Sequence, residues 1–178
     1  MLESTPLWRY SRPAIILHWV LAVLIASMVA LGWYMMTIEK SPAGPAYFDF
    51  HRSIGLVVGA LVLMRVLWRA FHTPQPLPTS LPRWQVRASS LTEILLYICM
   101  VVMPVTGYLG SAYSKSGVRF FGLELPGWTA PDRTLSHELF SIHSATVWVL
   151  VVVVCLHAAA GIRHLVVDRE LVFNRMWF

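Results

Sequence analysis

The stretch SIHSATVWVLVVVVCLHAAAGIR, residues 141–163, decides the fold of this chain. It is apolar over a length that crosses a bilayer as a helix, for which about 20 residues suffice. His143 and His157 lie within it, about four helical turns and roughly 21 Å apart along the axis. Both imidazoles therefore project from one face of the helix, one towards each membrane surface.

Polar ring nitrogens inside a membrane need partners, because hydrocarbon offers none. A single membrane histidine is commonly satisfied by a hydrogen bond to a neighbouring helix, and that explanation applies to each of these two residues taken alone. Two histidines in register on one face instead favour a shared kind of ligand, provided that other helices offer matching histidines.

Composition places the chain among integral membrane proteins. Of its 178 residues, 57% are hydrophobic and only 13% are charged, which is too little charge for a soluble domain with such long apolar runs. We expect an all-α integral membrane four-helix bundle in a single domain, residues 1–178. The predicted spans are residues 14–36, 54–71, 91–112 and 141–162, with loops at residues 37–50, 73–90 and 111–140.

The basic residues predict how the bundle is oriented. The net charge of +5 comes from residues scattered at the span ends, so we expect contact with membrane lipid and no nucleic-acid partner. One side of the membrane collects Arg9, Arg12, Arg65, Arg69, Arg83, Arg87, Arg163, Arg169 and Arg175, and the other collects Lys40, Arg52, Lys115, Arg119 and Arg133. The first side is predicted to be cytoplasmic, with both termini on it.

This orientation sorts four histidines into two levels. His18 and His157 share the cytoplasmic level, and His51 and His143 share the opposite one. Two facing imidazoles can fill both axial positions of a haem iron, which suits electron transfer because no coordination site stays open. The pattern therefore predicts two haems of the b type between the helices, since no CxxCH motif for covalent attachment is present. Zinc, which usually takes four close ligands, and purely structural histidines are the alternatives.

The histidine-bearing motifs resemble those of the bacterial cytochrome b561 family. They are His18-Trp19, the His51-x3-Gly55 opening of the second span, and His143 with His157 in the LHAAAGIRH segment. The resemblance covers nearly the whole chain and implies a four-helix dihaem protein of the bacterial inner membrane. It also implies His18 and His157 on the inner haem and His51 and His143 on the outer one. Some small members of this family are superoxide:ubiquinone oxidoreductases.

Three arginines and one further histidine are candidates for roles beside the haems. Arg12, Arg65 and Arg52 can pair with haem propionates, because the guanidinium fork matches a carboxylate; reaching lipid phosphate is the alternative. His164 lies two turns beyond His157 and is a candidate to hydrogen-bond and protonate a quinone. A solvated histidine at a helix end explains it equally well.

Two cations and two glycines have similarly open interpretations. Lys115 and Arg119, in the longest loop, are candidates to steer an anion such as superoxide towards the outer haem, although such charges are often only solvated. Gly55 and Gly59 in the second span allow close approach either by a helix or by a porphyrin.

The sequence thus predicts an oxidoreductase that passes single electrons across the inner membrane through two haems b. The resemblance implies superoxide as the periplasmic donor and ubiquinone as the acceptor. One alternative is a quinol-linked cytochrome b subunit, or conduit, that delivers electrons to a separate periplasmic redox protein. Another is a haem-free helical carrier or assembly factor, which would show no Soret absorption.

Overall fold

Four long helices form the structure, which is a computed structural model that describes residues 8–76, 81–166 and 173–177. They are α1 (Arg12–Thr37), α2 (Gly44–Phe71), α3 (Arg83–Ala112) and α4 (Arg133–Val166). Each is long and apolar enough to cross a membrane. The prediction of an all-α integral membrane four-helix bundle is confirmed.

Three of the helices begin earlier in the chain than predicted. Helix α2 starts at Gly44 rather than near residue 54, α3 starts at Arg83 rather than near residue 91, and α4 starts at Arg133 rather than near residue 141. The predicted loops at residues 37–50, 73–90 and 111–140 were therefore too long. Hydropathy detects only the part of a helix that is apolar, whereas backbone hydrogen bonding continues into the polar boundary of the membrane.

The helices run up and down in sequence order. Helix α1 packs against α2, α2 also packs against α3, and α3 packs along α4 over the most extensive of these contacts. One end of the bundle, here called the terminal face, holds the start of α1, the end of α2, the start of α3 and the end of α4. The opposite end, called the hairpin face, holds the other four helix ends and the loop between α3 and α4.

The best-buried core lies between α1 and α2. Leu21, Val58 and Val62 are its buried members, and Met28 and Met100 pack against them. Gly59 lets α3 approach closely, since a Cβ at this position would lie 3.1 Å from the Cβ of Pro104. A Cβ at Gly55 would lie 3.7 Å from the Cε of Met28 on α1. Both glycines therefore face neighbouring helices, which favours the helix-packing explanation over close approach of a porphyrin.

A short antiparallel hairpin follows α3, in a segment predicted as one long loop. Its strands are β1 (Arg119–Phe120) and β2 (Leu123–Glu124). The turn between them places Phe121 at φ 47° and Gly122 at φ 86°, a backbone region that bulky residues rarely adopt. The Phe121 N–H donates to Oγ of the fully buried Ser53 at 2.8 Å. This bond fastens the hairpin to α2 two residues beyond His51.

The end of the described chain folds back over the terminal face. A short 3-10 helix (Phe173–Met176) places Arg175 against two carbonyls, Gln75 O at 3.3 Å and Pro76 O at 3.0 Å. Arg175 is only 8% exposed and lies on the terminal face with the other arginines that were assigned to the cytoplasmic side, so that assignment stays a prediction. Arg169, which was assigned the same role, lies outside the described residues.

Two matched substitutions test the close packing of α2 against α3. Replacing glycine by alanine inside a helix gains about 1 kcal/mol of helix propensity. We expect Gly55→Ala to keep most of that gain, because Met28 is flexible. We expect Gly59→Ala to lose it, because a rigid proline ring stands in the way and overpacking typically costs about 1–3 kcal/mol. Thermal unfolding in detergent should give the lower midpoint for Gly59→Ala, and equal stabilisation of both variants would contradict this packing.

Candidate functional site

The first histidine pair joins α1 and α4 near the terminal face. The ring centres of His18 and His157 are 6.1 Å apart, and the ring planes are tilted by 65°. His18 is half-buried, whereas His157 is the more exposed of the two. The predicted juxtaposition of these two residues is present in the structure.

The second pair joins α2 and α4 near the hairpin face. The ring centres of His51 and His143 are 6.4 Å apart, with a tilt of 78° between the rings. Helix α4 thus contributes one histidine to each pair, as the spacing in residues 141–163 predicts.

Both separations fit two imidazoles bound to one metal ion. A bond between a metal ion and an imidazole nitrogen is about 2 Å long, so two rings on opposite sides of one ion have centres about 6 Å apart. A direct N–H···N hydrogen bond of about 3 Å would bring the centres to about 5 Å. Among the described residues, no group of three or more His, Cys, Asp or Glu side chains is placed to hold a metal ion. Two histidines at each site are too few for a tetrahedral zinc site, and they match the two axial ligands of a bis-histidine haem.

The helices that carry facing histidines are not the helices that pack together. Helix α4 packs along α3, whereas its backbone has at most marginal contact with α1 or α2 within the described ranges. The imidazoles therefore face each other across interhelical clefts rather than inside a packed seam. A flat prosthetic group held by both rings needs this arrangement.

Helix α3, which has no histidine, orients His143. The Nδ1 of His143 lies 2.9 Å from the carbonyl oxygen of Met103, with the Thr106 hydroxyl at 3.4 Å. Because a carbonyl only accepts, Nδ1 carries the ring hydrogen and Nε2 is left bare for a metal. This is the second shell expected of a metal-binding histidine.

Two glycines make room for the rings of the second pair. A Cβ at Gly107 on α3 would lie 3.2 Å from Cε1 of His143, and a Cβ at Gly32 on α1 would lie 3.4 Å from Cε1 of His51. Nδ1 of His51 is buried and has no hydrogen-bond partner among the described residues. Such an orphaned polar atom is costly in a structure that serves packing alone.

Arg65 contacts the first pair. Its Nη2 lies 3.3 Å from Nδ1 of His18, and its Nη1 donates to the carbonyl of Ala14 at 3.1 Å. A guanidinium only donates, so in this arrangement the hydrogen of neutral His18 is on Nε2. Binding iron through Nε2 requires Arg65 to leave Nδ1, and a haem propionate is a partner suited to draw it away. The distance between the rings of this pair fits a bound haem. Its hydrogen bonding fits a bound haem only after Arg65 has moved from His18 to a propionate.

The other predicted arginines differ in their surroundings. Arg52 pairs with Asp49 at 3.2 Å, and Arg119 pairs with the same carboxylate at 3.4 Å and with Glu124 at 2.6 Å. Two ion pairs engage the charge of Arg119, which weakens its case as an anion-steering cation. Arg12 is exposed and makes no hydrogen bond or ion pair with the described residues.

The remaining candidates lie at the two ends of the bundle. Lys115 is exposed on the hairpin face, and His164 lies in the last turn of α4 on the terminal face. His72 stacks on Trp68 at 4.1 Å, and His137 is exposed in the second turn of α4. Neither of the last two histidines faces another histidine among the described residues.

The groups that hold the rings in place were not predicted from the sequence. The carbonyl of Met103 has no sequence signature, because every residue has a carbonyl. Gly107 was noted only as a residue that bends α3, together with Pro104. A glycine on one helix at the membrane depth of a histidine on another is the signal from which its role could have been inferred.

Comparison with known proteins assigns the family. The sequence profile described as prokaryotic cytochrome b561 matches residues 9–178. Two similar relatives from Escherichia coli (strain K12) are cytochrome b561 homolog 2, 27% identical, and cytochrome b561 homolog 1, 25% identical. Each alignment covers 94% of this chain, with 90% and 96% of the respective relative.

A related protein of a second kind also matches. A probable Ni/Fe-hydrogenase B-type cytochrome subunit from Bradyrhizobium diazoefficiens is 26% identical over 94% of this chain and 82% of its own length. Together with four spans, these matches establish the type of protein. The chain belongs to the prokaryotic cytochrome b561 family and is a transmembrane b-type cytochrome that transfers electrons.

Proposed function

We propose that this chain holds two haems b, one at each histidine pair, and passes single electrons across the bilayer from superoxide to ubiquinone. The observation that carries the proposal is the presence of two facing pairs, 6.1 Å and 6.4 Å between ring centres. Chance packing of helices in a membrane bundle can explain one facing pair of histidines. Two pairs at the same separation, sharing α4, match a chain of two bis-histidine centres.

The residues of the chain have separate roles in this function. His18 and His157 would hold the terminal-side haem, and His51 and His143 the hairpin-side haem. Bound iron supplies the change between ferric and ferrous states. The Met103 carbonyl fixes the hydrogen of His143 on Nδ1, and the apolar helices exclude water, so few groups need to reorganise when charge moves.

The orientation of the bundle sets the two compartments. The terminal face holds Arg9, Arg12, Arg69, Arg83, Arg87 and Arg163 at the described helix ends or beside them. By the positive-inside rule this face is cytoplasmic and both termini lie there. The hairpin face is then periplasmic, which places His51 and His143 on the side where superoxide would donate its electron.

The proposed reaction balances as two superoxide anions and one quinone, with two protons, giving two dioxygen molecules and one quinol. Lys115 is an exposed cation on the hairpin face and is the candidate to attract the anion. His164, at the opposite end of α4, is the candidate to hydrogen-bond the quinone and pass it a proton. Ubiquinone is assigned from the family resemblance and superoxide from that resemblance together with the charge on the hairpin loop.

A second candidate function is relay of electrons between the quinone pool and a separate periplasmic redox protein. The hairpin face exposes Phe121 at 57%, Leu123 at 67% and Trp128 at 58%, and exposed apolar side chains of this kind suit protein docking. The relative from Bradyrhizobium diazoefficiens is named as a probable B-type cytochrome subunit of a Ni/Fe-hydrogenase.

Direct assay of purified protein tests the donor. Potassium superoxide added to oxidised protein in detergent should reduce the haems within mixing time, and a short-chain ubiquinone should reoxidise them with formation of quinol. Superoxide dismutase should abolish the reduction, because it removes the donor. Protein whose haems respond to dithionite but not to superoxide would refute this donor and favour the separate redox protein.

Substitution of one ligand tests the independence of the two centres. We expect His143→Ala to remove the hairpin-side haem and leave the terminal-side haem, so that the haem content falls from about two per chain to about one. The matched control is His137→Ala, an exposed histidine on the same helix, which should keep both. Haem is quantified as the pyridine complex, and complete loss in His143→Ala alone would show that the centres depend on each other.

A further inference from the structure

The charged groups beside the two histidine pairs differ. At the terminal-side pair, half-buried Arg65 contacts His18, and no carboxylate lies within 4.0 Å of it among the described residues. The nearby Arg69 is already paired with Glu93 at 3.1 Å. The terminal-side pair therefore has one uncompensated positive charge in direct contact.

The charged groups beside the hairpin-side pair are paired with one another. Arg52 and Arg119 share the carboxylate of Asp49, and Arg119 also binds Glu124. Two positive and two negative groups thus form one neutral cluster next to His51. Fully exposed charges elsewhere on both faces contribute less, because solvent and salt screen them.

The hydrogen bonds of the imidazoles differ in the same sense. His143 donates its Nδ1 hydrogen to the Met103 carbonyl, which makes the opposite ring nitrogen more basic and stabilises oxidised iron. His18 instead accepts from the Arg65 guanidinium, and because this bond is given up when iron takes Nε2, Arg65 acts on the bound iron through its charge, which stabilises reduced iron. Hydrogen bonding and local charge both tune the potential of a bound haem.

We propose that Arg65 raises the reduction potential at the His18–His157 pair and that the Asp49 cluster and the Met103 carbonyl lower it at the His51–His143 pair. Electron transfer from the hairpin face to the terminal face is then downhill. With haem held at both pairs, one electron would pass from the hairpin-side centre, which would be oxidised, to the terminal-side centre, which would be reduced, and no proton would be transferred between them. This inference rests on the two-haem proposal and adds which residues set the order of the two potentials.

The difference in charge persists when Arg65 leaves His18 for a propionate. Both centres gain propionate charge when haem binds. At the terminal side, the cation of Arg65 is available to neutralise it, whereas Arg52 at the hairpin side already shares Asp49 with Arg119. The terminal-side centre therefore keeps the more positive surroundings in either position of the guanidinium.

Redox titration of the purified holoprotein, followed by the haem absorbance bands, tests the inference. The wild type should titrate in two steps, and the single haem left in His143→Ala should titrate at the higher one. Arg65→Gln should lower only the higher step, and Arg65→Lys, which keeps the charge, should shift it much less. Asp49→Asn should raise only the lower step, because Arg52, Arg119 and Glu124 then carry one net positive charge.

The control is Arg87→Gln, which removes the same charge from an exposed position at the start of α3 on the same face. It should move neither step. A higher step that belongs to the hairpin-side haem, or a lower step that responds to Arg65→Gln, would overturn the assigned direction. Wild-type protein with fewer than two haems per chain would instead refute the proposed function on which the inference rests.

Discussion

The constraint on which the rest of the structure depends is the cost of placing four imidazoles at membrane depth. An unsatisfied polar group in hydrocarbon costs several kcal/mol, and each ring has two nitrogens to satisfy. The fold meets this constraint by facing the rings in twos across clefts and by bonding the Nδ1 of His143 to a carbonyl and that of His18 to a guanidinium. The clefts in turn require α4 to be held by α3 rather than by α1 or α2.

Helix α3 is therefore the scaffold of a site to which it contributes no histidine. Its Pro104 packs against Gly59 of α2, its Gly107 makes room for the ring of His143, and its Met103 carbonyl fixes the hydrogen of that ring. These contacts lie within about one and a half helical turns. A change in the packing of α2 against α3 is thus transmitted to the orientation of a candidate ligand.

The sequence predicted those features that repeat with the helical period. The 14-residue spacing of His143 and His157 placed both rings on one face, and the alternating direction of the spans gave each ring a partner at its own depth. It did not predict the helix starts at Gly44, Arg83 and Arg133, because polar boundary residues leave no hydropathy signal.

Contacts between residues far apart in the chain could not be predicted from the sequence either. Asp49 and Arg119 are 70 residues apart, and nothing in the composition of the long loop indicates that a hairpin brings them together. Their pairing alters the interpretation of the hairpin face, because Asp49 and Glu124 together neutralise Arg52 and Arg119, whereas Lys115 is exposed and can attract an anionic donor. The carboxylate of Asp49 also favours a low reduction potential at the hairpin-side pair. Asp49 therefore weakens the attraction for an anionic donor, while it increases the driving force for electron transfer towards the terminal face.

A donor that is a strong reductant can still reduce a haem of low potential. An anionic donor that is only weakly attracted must reach the exposed edge of the site by collision. Removing the charge of Asp49 would therefore change which of the two candidate donors is favoured. These donors are a small anion and a docking protein with apolar contacts.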